Sequence, residues 1–287
     1  KRDAIFAPRF YYLCTKSFLS VKIIEVVDAL ERFAPLPLQE DYDNAGLQVG
    51  LTEAEVSGAL LCLDVTEDIL DEAIDNGCNL IVSHHPLIFR KLARLTGDDY
   101  VQRVVMRAIS EGIAIVSMHT NMDAARGGVN YKIAEKMGAE VCGSIGRHKE
   151  AANDQGVVVS GSDGVVAQFK EPLAADDFLK MLKDVFRVEC VMAGELLRRP
   201  ISTVAICGGA GDFLLKDAVA AGADAFVTGE MHYHQFFGME QAIQIAAIGH
   251  YQSEQFTKEI FKEIIERDCP GVRCVVSEID TNPILYI

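Results

Sequence analysis

Three apolar runs in this chain, each short enough to be a buried strand, end on histidines. The histidines are His84, His85, His119 and His250. An acid follows two of them at the same four-residue spacing, Asp123 after His119 and Glu254 after His250. Imidazoles and carboxylates are common protein ligands of transition-metal ions, and α/β proteins place their chemistry at strand ends. The spacing therefore predicts a metal site.

Five of these side chains are the predicted ligands. They are His84, His85, Asp123, His250 and Glu254. One ion would leave part of this set unused, whereas two ions about 3.5 to 4 Å apart, bridged by a carboxylate, would use all five. The set contains nitrogen and oxygen atoms but no thiolate. It therefore suits two divalent transition-metal ions, Zn, Fe, Mn or Co, and disfavours Cu(I).

The adjacent pair His84 and His85 needs a turn. On an ideal strand the two side chains would point to opposite faces, so both can face one site only if the strand ends there. Pro86 favours such an end, because proline lacks the N–H group that strand pairing needs.

Two further histidines are predicted to lie beside the ligands. A sixth protein ligand would fill the open position that a catalytic metal site needs, so His119 is predicted to orient Asp123 rather than to bind an ion. His232 follows a predicted strand at 225–228 and is expected to line the same cleft, although an ordinary surface loop explains it almost equally well. His148, between two basic residues, is interpreted as a solvated loop residue.

A glycine-rich run lies between a predicted strand and a predicted helix. Gly208, Gly209 and Gly211 could let backbone N–H groups approach an anion at the helix N-terminus. The run matches neither the P-loop nor the GxGxxG pattern, and tight packing explains the glycines equally well. Phosphate binding here is therefore a minor expectation.

Composition bounds the class of protein. The chain has 287 residues, 49% of them hydrophobic, and a formal net charge of −15. That charge argues against broad nucleic-acid binding, which needs clustered Lys and Arg, and only a local basic patch could support it.

The eight cysteines include no CxxC pair, which favours reduced thiols in a cytoplasmic protein over disulfides or a thiolate site. No apolar run approaches the roughly 18 residues of a membrane span, and no signal peptide is expected.

Strands and helices are predicted to alternate along the chain. After an opening helix that ends before Pro35, apolar runs at 58–63, 79–83 and 113–118 alternate with helical patterns. This order predicts an α/β fold with mostly parallel or mixed sheets covered by helices. A later helix is predicted to begin at Ser253.

The second part of the chain repeats the first. At an offset of 145 residues Ser83 matches Thr228, and at an offset of 131 residues His119 matches His250. Any two strand–helix–strand units look somewhat alike, but the matching histidine and acid favour an internal duplication. Two similar α/β halves would place the metal site in the cleft between them.

The predicted divisions of the chain follow from this repeat. Residues 21–140 form the first α/β half, 141–200 a connecting segment packed on the core, and 201–287 the second α/β half. Residues 1–20 are interpreted as an N-terminal appendage ahead of the fold.

Five short motifs carry a resemblance to a known family. They are Asp43-Asn44-Ala45-Gly46-Leu47-Gln48, Ser83-His84-His85-Pro86, His119-Thr120-Asn121-Met122-Asp123, Thr228-Gly229-Glu230 and Gly249-His250-Tyr251-Gln252-Ser253-Glu254. Together they resemble the NIF-three-like family, whose bacterial members are widely named type two GTP cyclohydrolase I homologues. The match runs from about Val21 to Ile287.

The resemblance implies a dinuclear metal centre on the five residues already chosen by spacing. It also implies two similar halves and a ring-shaped homohexamer. Asp43, in the first motif, is expected in the cleft or beside the ligands. Many relatives carry an extra domain between the halves, whereas this chain has only a short stretch around 140–170 and resembles the compact form.

Three hypotheses of function follow. The first is a metal-dependent hydrolase acting on a nucleotide-like substrate, with GTP as the named candidate, because metal can lower the pKa of bound water to about 7. The second is a metal-binding regulatory or interaction protein without turnover, and the third is a phosphoesterase. An open coordination position would favour an enzyme, whereas a closed centre would favour the second hypothesis.

Overall fold

The computed structural model describes residues 20–285 of the chain. The predicted N-terminal appendage, 1–20, lies outside the described residues except for Ser20. The described part of the chain contains two β-sheets covered by helices. The α/β class predicted from the alternating patterns is confirmed.

The described residues form eleven strands and nine α-helices. The strands are β1 Gly46–Val49, β2 Ala59–Cys62, β3 Leu80–Ser83, β4 Ala114–Ser117, β5 Ala139–Ala152, β6 Val158–Leu173, β7 Met192–Ala193, β8 Ile201–Cys207, β9 Ala225–Thr228, β10 Gln244–Ala247 and β11 Cys274–Val276. The helices are α1 Ile23–Phe33, α2 Glu67–Asp75, α3 Tyr100–Glu111, α4 Thr120–Ala124, α5 Val129–Lys136, α6 Ala175–Phe186, α7 Leu215–Ala220, α8 His250–Glu254 and α9 Thr257–Asp268. Among the described residues, no helix has the length and apolar character needed to cross a membrane.

The first sheet has the strand order β1-β4-β3-β2-β11. Strands β4, β3, β2 and β11 run parallel, and β1 pairs antiparallel with β4 at one edge. Every residue of β2, β3 and β4 is buried. Continuous apolar runs of this kind are typical of parallel strands that helices cover on both faces.

The second sheet has the strand order β5-β6-β8-β9-β10-β7. Strands β8, β9 and β10 run parallel, whereas β5, β6 and β7 join with antiparallel pairings. Strands β5 and β6 form a long hairpin between Ala139 and Leu173. Much of the segment 141–200 therefore contributes strands to the second sheet.

The two parallel trios, β2-β3-β4 and β8-β9-β10, have matching registers in their first two strands. Cys62 of β2 pairs with Ser83 of β3. In the second sheet Cys207 of β8 pairs with Thr228 of β9. The offset of 145 residues seen in the sequence is therefore also the offset between the two registers.

The third strands of the trios differ by one residue. Ser117 pairs with Ser83 in the first sheet, and Ala247 pairs with Thr228 in the second. The histidine follows two residues after the first strand but three residues after the second. The additional residue is Gly249, whose φ of +96° is a conformation that glycine adopts readily. Gly249 is the N-cap of α8.

This cap corrects one prediction. The helix expected to begin at Ser253 begins at His250 instead and ends at Glu254, and α9 follows from Thr257. The predicted start is wrong because the chain already turns into a helix at Gly249. His250 and Glu254 therefore lie one turn apart on the same short helix.

One hydrophobic core joins the two sheets. A single cluster of buried side chains includes Leu61 and Val82 of the first sheet together with Val204 and Val227 of the second. Helix α5 contacts β8 and α9, and α9 contacts β2. Because both trios pack against this pair of helices, their carboxyl ends come close together.

Candidate metal centre

Histidines and acids from both sheets meet at the carboxyl ends of the parallel strands. They form three sets in which the candidate ligand atoms lie within 4.8 Å of one another, and each set could hold a metal ion. The sets are His84-Asp123-Glu254, His85-His250-Glu254 and His84-His85-His119.

The turn after β3 brings two neighbouring imidazoles to the same side. The backbone N–H groups of His84 and His85 both donate to the carbonyl oxygen of Leu63, at 3.1 and 2.9 Å. The chain therefore curls around that oxygen instead of continuing the strand. The two ring centroids are 4.9 Å apart, so both rings reach one cluster.

Each of the four imidazoles is held from outside the cluster through its Nδ1 atom. The partners are the backbone oxygen of Met118 for His84 at 2.9 Å, Asp64 for His85 at 2.7 Å, Asp43 for His119 at 2.7 Å and Glu230 for His250 at 2.8 Å. A hydrogen bond at Nδ1 fixes the ring orientation and leaves Nε2 for another partner. Metal-binding histidines in proteins have outer support of this kind.

Glu254 lies at the middle of the cluster and is 3% exposed. Its Oε1 atom is 3.6 Å from Nε2 of His84. Its Oε2 atom is 3.0 Å from Nε2 of His85 and 3.2 Å from Nε2 of His250. One carboxylate therefore faces two groups of candidate ligands, with one oxygen toward each group.

Two buried polar atoms of the cluster have no hydrogen-bond partner among the described residues. They are Nε2 of His84 and Oδ1 of Asp123, which lie 3.6 Å apart. A buried polar atom without a partner costs about 1 to 3 kcal/mol, so proteins seldom keep one without a compensating role. An imidazole nitrogen and a carboxylate oxygen are donors that a divalent transition metal accepts. The two atoms therefore fit a bound ion.

The ionisable groups of the cluster perturb one another strongly. Burial and the nearby charge of Glu254 raise the pKa of Asp123 well above its ordinary value. Burial also acts to raise the pKa of Glu254, but the neighbouring His250 and His84 outweigh it and hold that pKa well below its ordinary value. Burial acts to lower the pKa of His85, yet hydrogen bonds to two carboxylates raise it to about 10. A bound cation would replace such protons, because ligating imidazoles must be neutral.

The cluster opens into a cleft of about 500 Å³. Four residues of the cluster line it, together with three exposed aromatic side chains, Tyr42, Phe89 and Phe213. The ring of Phe89 lies 6.4 Å from that of Tyr42 and 6.3 Å from that of His119, measured between centroids. The cleft is large enough for a small organic molecule and has aromatic walls beside the cluster.

Two basic side chains of β5 also line the cleft. Arg147 and Lys149 both contact Glu40 at 2.6 Å, and they contact Asp163 at 3.1 and 3.7 Å. His148, between them, was interpreted from the sequence as a solvated loop residue but is an exposed residue of strand β5, and Arg147 and Lys149 escaped prediction. Their two-residue spacing was the available signal, because alternate residues of a strand share a face. Two acids balance the two cations, so this network holds β5 in place.

The comparisons with known proteins agree with this fold. A family model described as Duf34/NIF3 (NGG1p interacting factor 3) matches residues 21–283. The chain belongs to the Duf34/NIF3 family. A protein of Clostridium perfringens named GTP cyclohydrolase 1 type 2 homolog is 30% identical over 269 residues, covering 93% of this chain and 100% of that protein. The NGG1-interacting factor 3 of Saccharomyces cerevisiae is 27% identical, covering 94% of this chain and 99% of the yeast protein.

A solved structure supports the same assignment. The crystal structure of a hypothetical protein from Staphylococcus aureus matches with a TM-score of 0.83 and 27% identity, covering 93% of this chain and 100% of that one. The family resemblance predicted from the five motifs is confirmed.

In this member of the Duf34/NIF3 family, the side chain of His119 bonds to Asp43 and not to Asp123. The other oxygen of Asp43 accepts hydrogen bonds from the backbone N–H of Thr120, at 3.0 Å, and from its hydroxyl. The His119 ring lies 5.3 and 5.4 Å from the two rings that follow β3. His119 is thus a fourth imidazole of the cluster, with Asp43 directly behind it.

His232 lies apart from the cluster. Its side chain is 81% exposed, it contacts Asp212 through Nδ1, and it is not among the residues that line the cleft. The chain after β9 turns outward there into a short 3-10 helix at Tyr233–Phe236. Glu230, two residues earlier, is the side chain of this segment that reaches the cluster, where it bonds to His250. The expected position of His232 in the cleft is not observed.

The glycine-rich run packs against the cluster. Its backbone N–H groups donate to other parts of the protein: Gly208 to the Asn130 side chain at 2.9 Å, Gly209 to the Ser253 hydroxyl at 3.0 Å and Gly211 to the Thr228 hydroxyl at 3.1 Å. A Cβ atom on Gly209 would lie 2.3 Å from Oε1 of Glu254. Because these N–H groups already have partners, the geometry favours close packing over anion binding.

Proposed function

We propose that this chain binds two divalent transition-metal ions and acts as a metal-dependent hydrolase on a nucleotide-like substrate. The observation that carries the proposal is a pair of buried ligand atoms without partners among the described residues, Nε2 of His84 and Oδ1 of Asp123, in a cluster that opens on a cleft. A structural metal site is closed, whereas a catalytic one must remain accessible to its substrate. An accessible cleft therefore favours the enzyme.

The proposed ligands divide into two groups that share one carboxylate. They are His84, Asp123 and Glu254 for one ion, and His85, His250 and Glu254 for the other. Their nitrogen and oxygen donors suit Zn, Fe, Mn or Co. When bound, such ions supply Lewis-acid chemistry, because they acidify water and polarise a substrate oxygen.

The residues around the ligands orient the site. Asp64 and Glu230 each hold one ligand ring by its Nδ1 atom, so those rings cannot turn away from the centre without losing a hydrogen bond to a charged group. His119, held in the same way by Asp43, lines the cleft. Because Nδ1 is bonded to Asp43, Nε2 is the ring nitrogen that we propose contacts a bound substrate.

The aromatic walls of the cleft support a substrate with a planar ring. Tyr42 and Phe89 are exposed, with ring centroids 6.4 Å apart. Stacked or edge-to-face contacts with such side chains contribute about 0.5 to 1.5 kcal/mol beyond simple burial. The name GTP cyclohydrolase 1 type 2 homolog, carried by the Clostridium perfringens relative, points to the same class of compound.

Turnover by the metal-loaded protein tests the proposal. We expect hydrolysis of at least one compound in a panel of nucleotides, pterins and phosphoesters, and loss of that hydrolysis in His250→Ala. The variant should keep its circular dichroism spectrum, because the two sheets bury their own core and do not depend on a metal to fold. His234→Ala, which changes an exposed histidine outside the cluster, is the matched control and should remain active.

Three other outcomes would point elsewhere. Unfolding of His250→Ala would favour structural ions and the regulatory hypothesis without turnover. Full activity of His250→Ala would exclude the proposed site as the source of the activity. A free phosphate product from phosphoesters alone, with no reaction of nucleotide or pterin rings, would identify a phosphoesterase.

We also propose that the chain forms the homohexamer implied by the family resemblance and acts in the cytoplasm. The exposed apolar side chains of Met106 and Ile109 on α3, 44% and 58% exposed, are surface that an interface between copies could cover.

A further inference from the structure

Cations in this acidic chain are often paired with acids. For example, Arg103 and Arg107 on α3 contact Glu67 and Asp71 at 2.8 and 2.5 Å. The segment 90–94, which we call the basic segment, is different. Its three cations are exposed, and none forms an ion pair within 4.0 Å with an acid of the described residues. They are Arg90, Lys91 and Arg94.

The basic segment lines a cavity of about 570 Å³ that adjoins the metal cleft. Phe89 lines both spaces, so they share this residue as part of their walls. Arg90 is five residues from His85 in the chain, which limits the separation of their Cα atoms to about 18 Å. The two spaces are therefore near neighbours with a shared wall at Phe89.

The acids that line the same cavity are engaged within their own loop. Asp99 accepts from the backbone N–H of Gln102 at 2.8 Å and from its side-chain amide at 3.0 Å, as the N-cap of α3. Asp98 accepts from the hydroxyl of Thr96 at 2.6 Å. The three cations outnumber these two acids, so the cavity keeps a positive balance in a chain whose net charge is −15.

We propose that the basic segment binds the phosphate groups of a phosphorylated substrate whose other end reaches the metal centre. This inference rests on the proposed function, because it extends the same cleft. Guanidinium groups bind phosphate oxygens in pairs, and a lysine adds a point charge. The ring of the substrate would then lie against Phe89, between its phosphates and the candidate ligands.

The overall charge favours a small phosphorylated molecule over a nucleic-acid strand. The net charge of the chain is −15, and affinity for nucleic acid grows with the number of phosphates that cations neutralise, so three cations in one short segment favour a short ligand. A mononucleotide presents its phosphates to the basic segment alone.

Binding measurements on the metal-loaded protein test this inference. The variant carries Arg90→Gln, Lys91→Gln and Arg94→Gln together. The control carries Lys170→Gln, Lys183→Gln and Lys216→Gln, three exposed lysines that also lack an ion pair with a described acid, so both variants lose the same charge. The probes are GTP, guanosine, inorganic tripolyphosphate and a single-stranded oligonucleotide, measured by isothermal titration calorimetry, with metal content determined for each protein.

We expect the wild type to bind GTP at least about tenfold more tightly than guanosine, because hydrogen bonds to charged groups are strong. The basic-segment variant should lose about tenfold or more in affinity for GTP and tripolyphosphate, and should keep its affinity for guanosine and its metal content. The control should match the wild type.

Unchanged GTP affinity in the basic-segment variant would overturn the inference, as would an equal loss in both variants, which would indicate a general charge effect. Stronger binding of a single-stranded oligonucleotide than of GTP would also overturn it and favour nucleic acid. In each of these cases the proposed function would still stand if the wild-type protein contained two equivalents of metal and hydrolysed a substrate. If the wild-type protein contained no metal, the proposed function would be wrong. The binding of tripolyphosphate by the wild type and the basic-segment variant would still test whether the basic segment binds phosphate groups.

Discussion

Protein purified without a chelator is expected to contain two equivalents of divalent transition metal per chain, and Glu254→Gln is expected to contain well under one. The reason is the position of Glu254, whose two oxygens face different groups of ligands at 3.0 to 3.6 Å. An amide has only one acceptor oxygen and no charge, so the substitution weakens both groups at once. Elemental analysis of the purified proteins is the measurement.

Glu266→Gln is the control for this experiment. It makes the same chemical change at a side chain that is 57% exposed on α9, and its metal content should equal that of the wild type. If the wild type and Glu254→Gln both hold one ion or none, the dinuclear centre is wrong.

Gly209→Ala should also empty the centre, although Gly209 offers no ligand side chain. Its φ of +58° is strained for alanine, and the added Cβ would lie 2.3 Å from Oε1 of Glu254 and 3.3 Å from Nε2 of His250. The backbone around it is held by the hydrogen bond to Ser253, so the carboxylate must move. We expect a clear fall in metal content and loss of turnover.

Gly222→Ala is the control that separates the effect of backbone strain from the effect of the new contact with Glu254. Gly222 has a φ of +71°, but a Cβ there would meet nothing within 4 Å. Both variants should lose about 1 kcal/mol of stability from the left-handed backbone, seen as lower melting temperatures. Only Gly209→Ala should lose metal. Full metal content in Gly209→Ala would mean that Glu254 can leave its observed position without cost to the centre.

Local features of the sequence were enough to predict most of the elements near the site. Strands such as β3 and β4 are continuous apolar runs, and α3 has helical periodicity, because each pattern reflects burial of one short element. The start of α8 escaped prediction. Gly249 shifts the register by one residue, and only the strand pairing reveals that shift.

The set of available ligands follows from the amino-acid sequence. Histidines follow the ends of apolar runs, and acids follow two of them at one spacing, which makes residues such as His84 and Glu254 candidates without knowledge of the fold. Chemical type and position along a strand are local properties of the chain, so the sequence can name candidate ligands, and the structure brings these side chains into one cluster.

The contacts that the residues around the candidate ligands make depend on the tertiary structure. Asp43 and His119 are separated by 76 residues, and local patterns contain no information about a contact of that kind. The same holds for Arg147 on the wall of the cleft, for the outward turn that carries His232 away, and for the hydrogen bonds that occupy the glycine-rich run. These depend on how two sheets pack around shared helices, which is set by the whole core rather than by any one segment.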